Sequence, residues 1–379
     1  MFKILIISFS DLYSDPRVNR QIRFLSDHYS VTTLGITDSG ISGVTSILTS
    51  ISHKSQIKKL TASYDLLTGK YEKYYWTQDH IINSYEQLKN LKFDLIIAND
   101  IDSLPLAIKI QKQSKLIFDA HEYAPREFED RLIFRLLFQK YKTYLCQTYI
   151  PQVDRMITVC QSIADTYEKD TSIKPSVMTN APKYQDLNPQ FLTSNTSKIR
   201  LIHHGAAMRS RKIEKLIMMM KYLDNRYELN LILTGSFPDY TNYLKKISKN
   251  NTNIIFLNAV PMPEISQYLN KFDIGVYILE PSNFNNLHAL PNKFFEFVQA
   301  RLAVAIGPSP EMARLVKEYD LGVVADDFEP QTLAKKLMEL DYQKINYYKQ
   351  QSHKIAKELS ADKNQAIILN LVQDTLNNH

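Results

Sequence analysis

The chain has only nine glycines among its 379 residues, and it lacks two glycine-rich phosphate-binding patterns. Neither the G-x-G-x-x-G pattern of dinucleotide-binding folds nor the G-x-x-x-x-G-K-[ST] pattern of P-loop enzymes occurs. These absences argue against a dehydrogenase and against a P-loop nucleotidase. A phosphate group would therefore have to be held in another way.

Long apolar runs and cysteines are also scarce. No apolar run approaches the roughly 18 residues of a membrane-spanning helix. The apolar part of the N-terminal MFKILIISFS is too short for a secretory signal and is typical of a first β-strand in a cytoplasmic protein. Two cysteines, Cys146 and Cys160, cannot form a disulfide framework or a structural zinc site, so we expect buried free thiols.

The charge of the chain narrows its partners only partly. The formal net charge is +6, a moderate basic excess. It suits nucleotide diphosphates, acidic lipid head groups or nucleic acid, and it does not choose among them. Nucleic acid is the least favoured partner, because the basic residues are not concentrated with aromatics on one recognisable module.

Short apolar runs alternate with longer amphipathic segments, which predicts an α/β protein whose parallel sheets are covered on both faces. Strands are predicted at 3–9, 29–35, 94–100, 115–121, 154–160, 199–205, 229–235, 253–258, 273–279, 303–307 and 321–326. Helices are predicted near 80–91, 102–113, 126–149 and 161–170, from about 211, and near 362–376. A further helix is expected to be capped by Asp15 and to begin at Pro16.

A polar stretch with little periodicity divides the chain. We expect an N-terminal Rossmann-like domain at 1–183, a linker at 184–198 and a C-terminal Rossmann-like domain at 199–360. The last helix, within 361–379, is expected to cross back onto the first domain. Ligands of open parallel sheets bind beyond the carboxyl ends of the strands, so these ends are expected to line a cleft shared by the two domains.

The segment HHGAAMRSRKIEKLI (203–217) offers a site for phosphate. Gly205 can make the tight turn from strand to helix. Arg209, Arg211 and Lys212 then crowd the start of the helix, where cations oppose the helix dipole and do not stabilise the helix. They would suit a bound pyrophosphate, because arginine can contact two phosphate oxygens at once. The alternative is a solvated basic turn.

The segment HALPNKFFEF (288–297) offers a second part of such a site. Pro291 is a good first residue for a helix, and the free N–H groups after it form an anion site. Phe294 and Phe297 can face the core, whereas Glu296 falls on another face. Its carboxylate suits the two hydroxyls of a ribose. The alternative is a helix ion pair between Lys293 and Glu296.

The first domain places polar residues at two strand ends. FDAHEYAPREF (118–128) contains His121 and Glu122, and His121 could bond a sugar hydroxyl or a transferring oxygen. The alternative is a satisfied histidine at the strand–loop border. NDIDSLP (99–105) contains Asp100 and Asp102, and we expect Asp102 to be a helix N-cap and not a metal ligand.

The segment 126–145 interleaves arginines and lysines with large apolar residues. Such a helix can lie on an anionic membrane. It can equally be an ordinary helix with one face buried by the sheet, and the sequence leaves both interpretations open.

Taken together, these segments resemble the retaining glycosyltransferases of the GT-B fold, in particular the family-4-like enzymes that build bacterial surface polysaccharides such as lipopolysaccharide and capsule. The resemblance implies two Rossmann-like, doubly wound domains facing a central cleft. It rests on SDPRVNRQ (14–21), ANDIDSLPLA (98–107), FDAHEYAPREF, ITVCQSIAD (157–165), HHGAAMRSRKIEKLI, LILTGS, FDIGVY and LPNKFFEFVQARLAVAIG (290–307).

The resemblance also implies roles for individual residues. His121, Arg211 and Glu296 would be the catalytic set: His121 near the reacting sugar, Arg211 on the diphosphate and Glu296 on the donor ribose. The donor site as a whole would comprise Gly205, Arg209, Arg211, His288, Leu290, Pro291, Asn292, Lys293 and Glu296. The acceptor would meet Asp15, Arg17, Asp100, His121 and Glu122. No cofactor and no bound metal would be required, because basic side chains and a helix N-terminus neutralise the leaving diphosphate.

Two departures from the family pattern stand out. His288 occupies the position, eight residues before Glu296, where these enzymes commonly have a second glutamate. SFSDLYSDPR replaces the usual glycine pair after the first strand. These changes bear on the donor sugar and on the acceptor side, respectively.

The expected function is sugar transfer from a UDP- or GDP-sugar to a glycan or lipid-linked glycan of a cell-surface polysaccharide. The expected location is the cytoplasm, with peripheral contact to an anionic membrane at its inner face, and no nucleic-acid partner is expected. The alternatives are a nucleotide-sugar epimerase on the same fold and a catalytically inactive scaffold protein.

Overall fold

The computed structural model describes residues 1–50, 56–195, 198–235 and 237–377. The chain divides into two compact units. The first comprises Met1–Thr179, Asn283–Asn285 and Gln365–His379, and the second comprises Asn180–Ser282 and Asn286–Asn364. None of the helices in the described ranges is long and apolar enough to cross a membrane.

The first unit is built on a parallel sheet. Its strands in the described residues are β1 (Lys3–Ile7), β2 (Ser30–Gly35), β3 (Thr45–Leu48), β4 (Leu95–Asn99), β5 (Lys115–Ala120), β6 (Arg155–Thr158) and β7 (Ser176–Val177). They lie in the order β3-β2-β1-β4-β5-β6-β7. Its helices are α1 (Pro16–Ser26), α2 (Gln56–Leu67), α3 (Tyr71–Trp76), α4 (Asp79–Leu88), α5 (Leu104–Gln111), α6 (Gln139–Tyr149) and α7 (Gln161–Thr171).

Local sequence explains several of these elements. The strand β4, LIIAN, is buried at every residue, as is typical of a parallel strand covered on both faces. The helix α1 begins at Pro16, and the side chain of Asp15 accepts hydrogen bonds from the backbone N–H groups of Arg17 and Val18. The predicted cap at Asp15 is therefore confirmed, and the helix buries an apolar stripe that includes Val18 and Ile22.

The second unit repeats this architecture. Its strands are β8 (Ile199–Ala206), β9 (Tyr227–Thr234), β10 (Ile254–Leu257), β11 (Ile274–Tyr277), β12 (Ala303–Ile306) and β13 (Gly322–Val324), in the order β10-β9-β8-β11-β12-β13. The helices from residue 214 onward are α8 (Glu214–Met219), α9 (Pro238–Ser248), α10 (Ile265–Leu269), α11 (Phe284–Leu287), α12 (Asn292–Gln299), α13 (Pro310–Glu318), α14 (Pro330–Met338), α15 (Tyr342–Ile355) and α16 (Ala361–Asn377). The strand order reverses between β8 and β11, which is where open parallel sheets bind their ligands.

The C-terminal helix contributes to the core of the first unit. Ile368, Val372 and Leu376 of α16 are buried in one cluster with Ile4 and Ile6 of β1. This apolar stripe follows the three- and four-residue spacing of a helix face.

The predicted α/β class with two Rossmann-like parallel sheets is confirmed, as are the two free and buried cysteines. Short β3 and β7 and the helices α2 and α3 escaped prediction. The helix predicted over 126–149 is more broken than expected: a 3-10 turn spans Ala124–Arg126, and a π-helical turn at Phe134–Phe138 precedes α6.

Candidate functional site

The carboxyl end of β8 carries the sequence His203-His204-Gly205-Ala206. Gly205 has a φ of +126°, a conformation that side chains oppose. A Cβ atom at this residue would lie 3.2 Å from Nζ of Lys293 and 3.4 Å from Nη1 of Arg211. The absence of a side chain therefore lets two cations from different elements approach the end of the strand.

Arg211 and Lys293 reach this point from two directions. Arg211 ends the 3-10 turn Arg209–Arg211, and its Nη1 lies 3.4 Å from the carbonyl oxygen of Ala206. Lys293, in the first turn of α12, is buried and lies over the ring of Tyr277, with Nζ 4.1 Å from the ring centre. Burial and the charge of Arg211 hold the pKa of Lys293 well below its ordinary value, although Glu296 acts in the opposite direction.

The imidazole of His203 lies beside the amino group of Lys293. Its Nδ1 lies 3.1 Å from the carbonyl oxygen of Val276, which can only accept a hydrogen bond. Burial and Lys293 lower the pKa of His203 well below its ordinary value, so the imidazole is neutral. The proton is then on Nδ1, and the lone pair of Nε2 faces Nζ of Lys293 at 3.4 Å.

Glu296 is buried, with only 2% of its surface exposed. The Nε2 atom of His204 lies 3.2 Å from its Oε2 atom. Burial, Lys293 and Arg211 together lower the pKa of His204 to about 3. His204 is therefore a neutral partner for the carboxylate near neutral pH. The sequence analysis missed His204, although two consecutive histidines at a strand end were a visible signal.

The helix α12 is held against the sheet by a close contact. A Cβ atom on Gly275 of β11 would lie 2.3 Å from Cγ of Phe297, so the ring occupies the space that a side chain would fill. Phe294 and Val298 are also buried, which confirms the predicted core face of the helix. The helix begins at Asn292, and Pro291 takes the N-cap position and not the predicted first helical position.

The remaining residues predicted for the donor site are arranged differently. The guanidinium of Arg209 lies 5.2 Å from the centre of the Tyr240 ring. Lys212 pairs with Glu280 at 2.9 Å. Of the three cations in the predicted basic turn, Arg211 is thus the one that the structure brings to Gly205. Leu290 is buried, and His288 lies four residues before α12 and is partly buried.

In the first unit, His121 follows β5 and makes contacts with two neighbours. Its Nε2 lies 3.1 Å from Oδ1 of Asn99, and its Nδ1 lies 3.3 Å from Oδ2 of Asp100. The backbone N–H of His121 also donates to Asp100. A cavity of about 240 Å³ is lined by residues that include Asp100, His121 and Glu122. The structure therefore gathers three of the residues predicted to bind an acceptor around one cavity.

Arg17 and Asp119 form a buried ion pair. Two nitrogens of the Arg17 guanidinium donate to the two Asp119 carboxylate oxygens at 2.6 Å and 3.1 Å, and the third donates to the carbonyl oxygen of Met178. Gln21 donates to the same carboxylate. These contacts give Arg17 a structural role, and its contact with an acceptor stays a prediction.

Asp102 was expected to cap α5, and this prediction is wrong. Ser103 occupies the N-cap position, and the side chain of Asp102 accepts a hydrogen bond of 2.6 Å from Nζ of Lys142. Burial lowers the pKa of Lys142, but Asp102 and Glu127 outweigh burial and raise this pKa above its ordinary value. Lys142 is therefore charged and lowers the pKa of the acidic groups that line the cavity, but burial outweighs it at Glu122 and raises the pKa of that group to about 8. Among the described residues, no cluster of metal-ligating side chains occurs.

Comparison with known structures identifies the fold. The chain matches HepE of Anabaena in complex with UDP and glucose at a TM-score of 0.70, with 14% identity over 100% of both chains. It matches sucrose-phosphate synthase of Thermosynechococcus elongatus at 0.72, with 12% identity over 99% of both. A glycosyltransferase of Rickettsia africae gives 0.70, with 13% identity over 100% of this chain and 99% of that one. The fold is that of the GT-B glycosyltransferases.

A family model matches part of the chain, mainly in the second unit. Residues 198–341 match the family model described as Glycosyl transferases group 1. A search of curated proteins finds no sequence match to the chain. The matched segment contains Gly205, Arg211, Lys293 and Glu296. The chain therefore has the GT-B fold, and part of it, mainly in the second unit, is similar to the group 1 glycosyl transferases.

Proposed function

We propose that the chain transfers a sugar, with retention of anomeric configuration, from a UDP-sugar to a glycan or lipid-linked glycan acceptor of a surface polysaccharide. The observation that carries the proposal is the pair of basic side chains, partly buried Arg211 and buried Lys293, beside Gly205 in the segment that matches the glycosyl transferases. The charge of Arg211 disfavours protonation of Lys293 in the empty site, and a dianionic diphosphate would favour it by adding negative charge beside both groups. UDP is the donor nucleotide of choice because HepE is described in complex with UDP and with UDP-glucose.

The proposed donor contacts follow from chemistry and position. The diphosphate lies between the Arg211 guanidinium and the N-terminal turn of α12, where the first N–H groups of a helix have no intrahelical partner. Glu296 accepts hydrogen bonds from the ribose hydroxyls, and neutral His204 lies beside its carboxylate without a hydrogen bond to it. His288, ahead of α12, is the candidate for a contact with the sugar ring, which its imidazole can make as donor or acceptor.

The chemical step follows from the same contacts. The bond between the sugar's anomeric carbon and the diphosphate oxygen breaks, and the electron pair stays on the diphosphate. The acceptor oxygen forms its bond on the same face of the sugar, and its proton passes to the departing diphosphate. Arg211, Lys293 and the helix N-terminus stabilise the developing charge, so the proposed reaction requires no bound metal.

The acceptor is proposed to meet the first unit at the cavity lined by Asp100, His121 and Glu122. Carboxyl groups and an imidazole are suited to the hydroxyl groups of a glycan. In this proposal the protein acts in the cytoplasm and contacts an anionic membrane. The epimerase and the inactive scaffold are not favoured, because the matched family model is one of transferases.

The proposal is tested in two stages. A thermal-shift screen with UDP-, GDP- and dTDP-sugars should give the largest rise in melting temperature with a UDP-sugar. Transfer from that donor to glycan acceptors is then followed by NMR, which reads the anomeric configuration of the product directly. An inverted product, or conversion of the donor with no acceptor present, would contradict the proposal.

A further inference from the structure

An exposed apolar stretch lies beside the π-helical turn of the first unit. Leu132, Ile133 and Leu136 are 60%, 67% and 61% exposed, respectively. An apolar hollow of about 500 Å³ is lined by Phe128, Arg131, Leu132, Ile133, Phe134 and Phe138. Single exposed apolar residues are common on proteins, but a contiguous group beside an apolar hollow marks an interaction surface.

The helix α2 extends this surface. Leu60, Tyr64 and Leu67 are between 58% and 73% exposed, and their spacing of four and three residues places them on one face of the helix. The helix lies against the Phe134–Phe138 turn. We refer to Leu60, Tyr64, Leu67, Leu132, Ile133 and Leu136 as the apolar patch.

Basic side chains accompany the apolar patch. Within residues 59–70 and 131–140, the exposed cations are Lys59, Lys70, Arg131, Arg135 and Lys140. The nearby carboxylates are engaged with other groups of the unit. Asp65 is buried and pairs with Lys73, Glu72 accepts hydrogen bonds from Tyr144 and Tyr149, and Glu129 pairs with Arg126. Asp130, next to Arg131, is exposed and accepts a hydrogen bond from Asn283, so the cations of these segments outnumber the exposed carboxylates without a complete absence of negative charge.

We propose that the apolar patch and its cations are the surface through which this unit docks on an anionic lipid bilayer. The patch would enter the boundary between head groups and acyl chains, and the cations would contact the lipid phosphates. The charge favours a bilayer over a second copy of the chain, because two copies meeting through this patch would bring like charges together. The inference deepens the proposed function, since a lipid-linked acceptor lies at a membrane.

Vesicle flotation tests the surface without donor or acceptor, so its outcome is independent of whether sugar transfer occurs. The full chain should float with vesicles of equal parts phosphatidylcholine and phosphatidylglycerol, and much less with phosphatidylcholine alone. The triple variant Leu132→Ser, Ile133→Ser, Leu136→Ser should lower partitioning by at least about tenfold. The triple variant Arg131→Gln, Arg135→Gln, Lys140→Gln should lower it by up to about a hundredfold, and raised salt should have a similar effect.

A matched control removes apolar surface elsewhere in the same unit. Ile82→Ser with Leu91→Ser changes two residues that are 44% and 41% exposed, and it should leave partitioning unchanged. Melting curves verify that every variant is folded. If the serine variant fails to fold, the glutamine variant still tests the surface, because it leaves the apolar patch intact. Sedimentation without lipid tests the alternative, in which a second copy of the chain covers the apolar patch. The proposal would be overturned if neither triple variant lowered partitioning onto vesicles. It would also be overturned if the wild-type chain did not bind vesicles but formed a dimer that the serine variant dissociates.

Discussion

His204 places its Nε2 atom 3.2 Å from Oε2 of Glu296, and both side chains are buried in the second unit. Because burial and the basic groups of Lys293 and Arg211 lower the pKa of His204 to about 3, the imidazole does not neutralise the carboxylate by becoming charged. Glu296 therefore keeps its capacity to accept hydrogen bonds from a ligand. Nε2 of His204 lies beside one carboxylate oxygen and has no hydrogen-bond partner among the described residues, so it does not occupy that oxygen's capacity to accept from a diol.

Glu296→Gln tests the proposed ribose contact. The wild-type chain should bind UDP more tightly than 2′-deoxy-UDP, because the carboxylate accepts from both ribose hydroxyls. The variant should bind UDP about tenfold to a hundredfold more weakly, as expected for loss of a charged hydrogen bond. It should also lose most of the discrimination between the two nucleotides. Isothermal titration calorimetry measures all four affinities.

The control for the Glu296→Gln measurements is Glu318→Gln, which removes an exposed carboxylate that pairs with Arg314. It should leave both affinities unchanged. Inorganic pyrophosphate has no ribose, so its affinity should be the same for Glu296→Gln as for the wild type. Equal discrimination in wild type and Glu296→Gln would refute the ribose assignment.

Lys293 leads to a prediction about protons. In the empty site its pKa lies well below the ordinary value, because of burial and Arg211. A bound diphosphate adds negative charge beside the amine and raises that pKa. UDP-glucose should therefore bind with uptake of a proton, and its affinity should rise as pH falls between the pKa of the empty site and that of the occupied site, by at most about tenfold per pH unit.

Proton uptake is measured by calorimetry in two buffers that differ in ionisation enthalpy. Lys293→Met should abolish the difference between the buffers, whereas Lys317→Met, at an exposed lysine of the same unit, should preserve it. A wild-type binding enthalpy that does not depend on the buffer would show that Lys293 is already protonated in the empty site.

Much of the fold was predictable because parallel strands buried on both faces read as continuous apolar runs. This is why β1, β4 and β5 were found, and why β3 was not, since its four residues are exposed or only partly buried. The π-helical turn at Phe134–Phe138 has no signature in the spacing of the apolar residues. The helix predicted over 126–149, which includes α6, is therefore too long and too regular.

The site was predictable where chemistry is local and unpredictable where packing decides it. Gly205 and Arg211 follow from a strand end and a basic turn. Lys293 was considered as a helix partner of Glu296, but the packing of α12 turns it toward His203 and Tyr277. Arg17 carried no local sign of its ion pair, because Asp119 is distant in sequence.

Arg211→Ala tests charge stabilisation of the leaving group. Removal of one preorganised contact to a developing negative charge costs about 2.7–4 kcal/mol, so kcat for transfer should fall about a hundred- to a thousandfold. Arg226→Ala is the matched control, since Arg226 is an exposed arginine of the same unit that pairs with Asp224. Full activity of Arg211→Ala at saturating and at low donor would exclude the guanidinium from the reaction.

Gly205→Ala separates backbone strain from loss of the site. The alanine would adopt a φ of +126°, which costs about 1–3 kcal/mol. Its Cβ would also press on Lys293 and Arg211 at 3.2 Å and 3.4 Å. Gly43→Ala is the matched control, because Gly43 has a φ of +81° and no atom within 4 Å of the added Cβ. Both variants should therefore lower the melting temperature, but only Gly205→Ala should weaken UDP-glucose binding in calorimetry. Equal donor affinity in the two variants would mean that the cations beside Gly205 do not hold the donor.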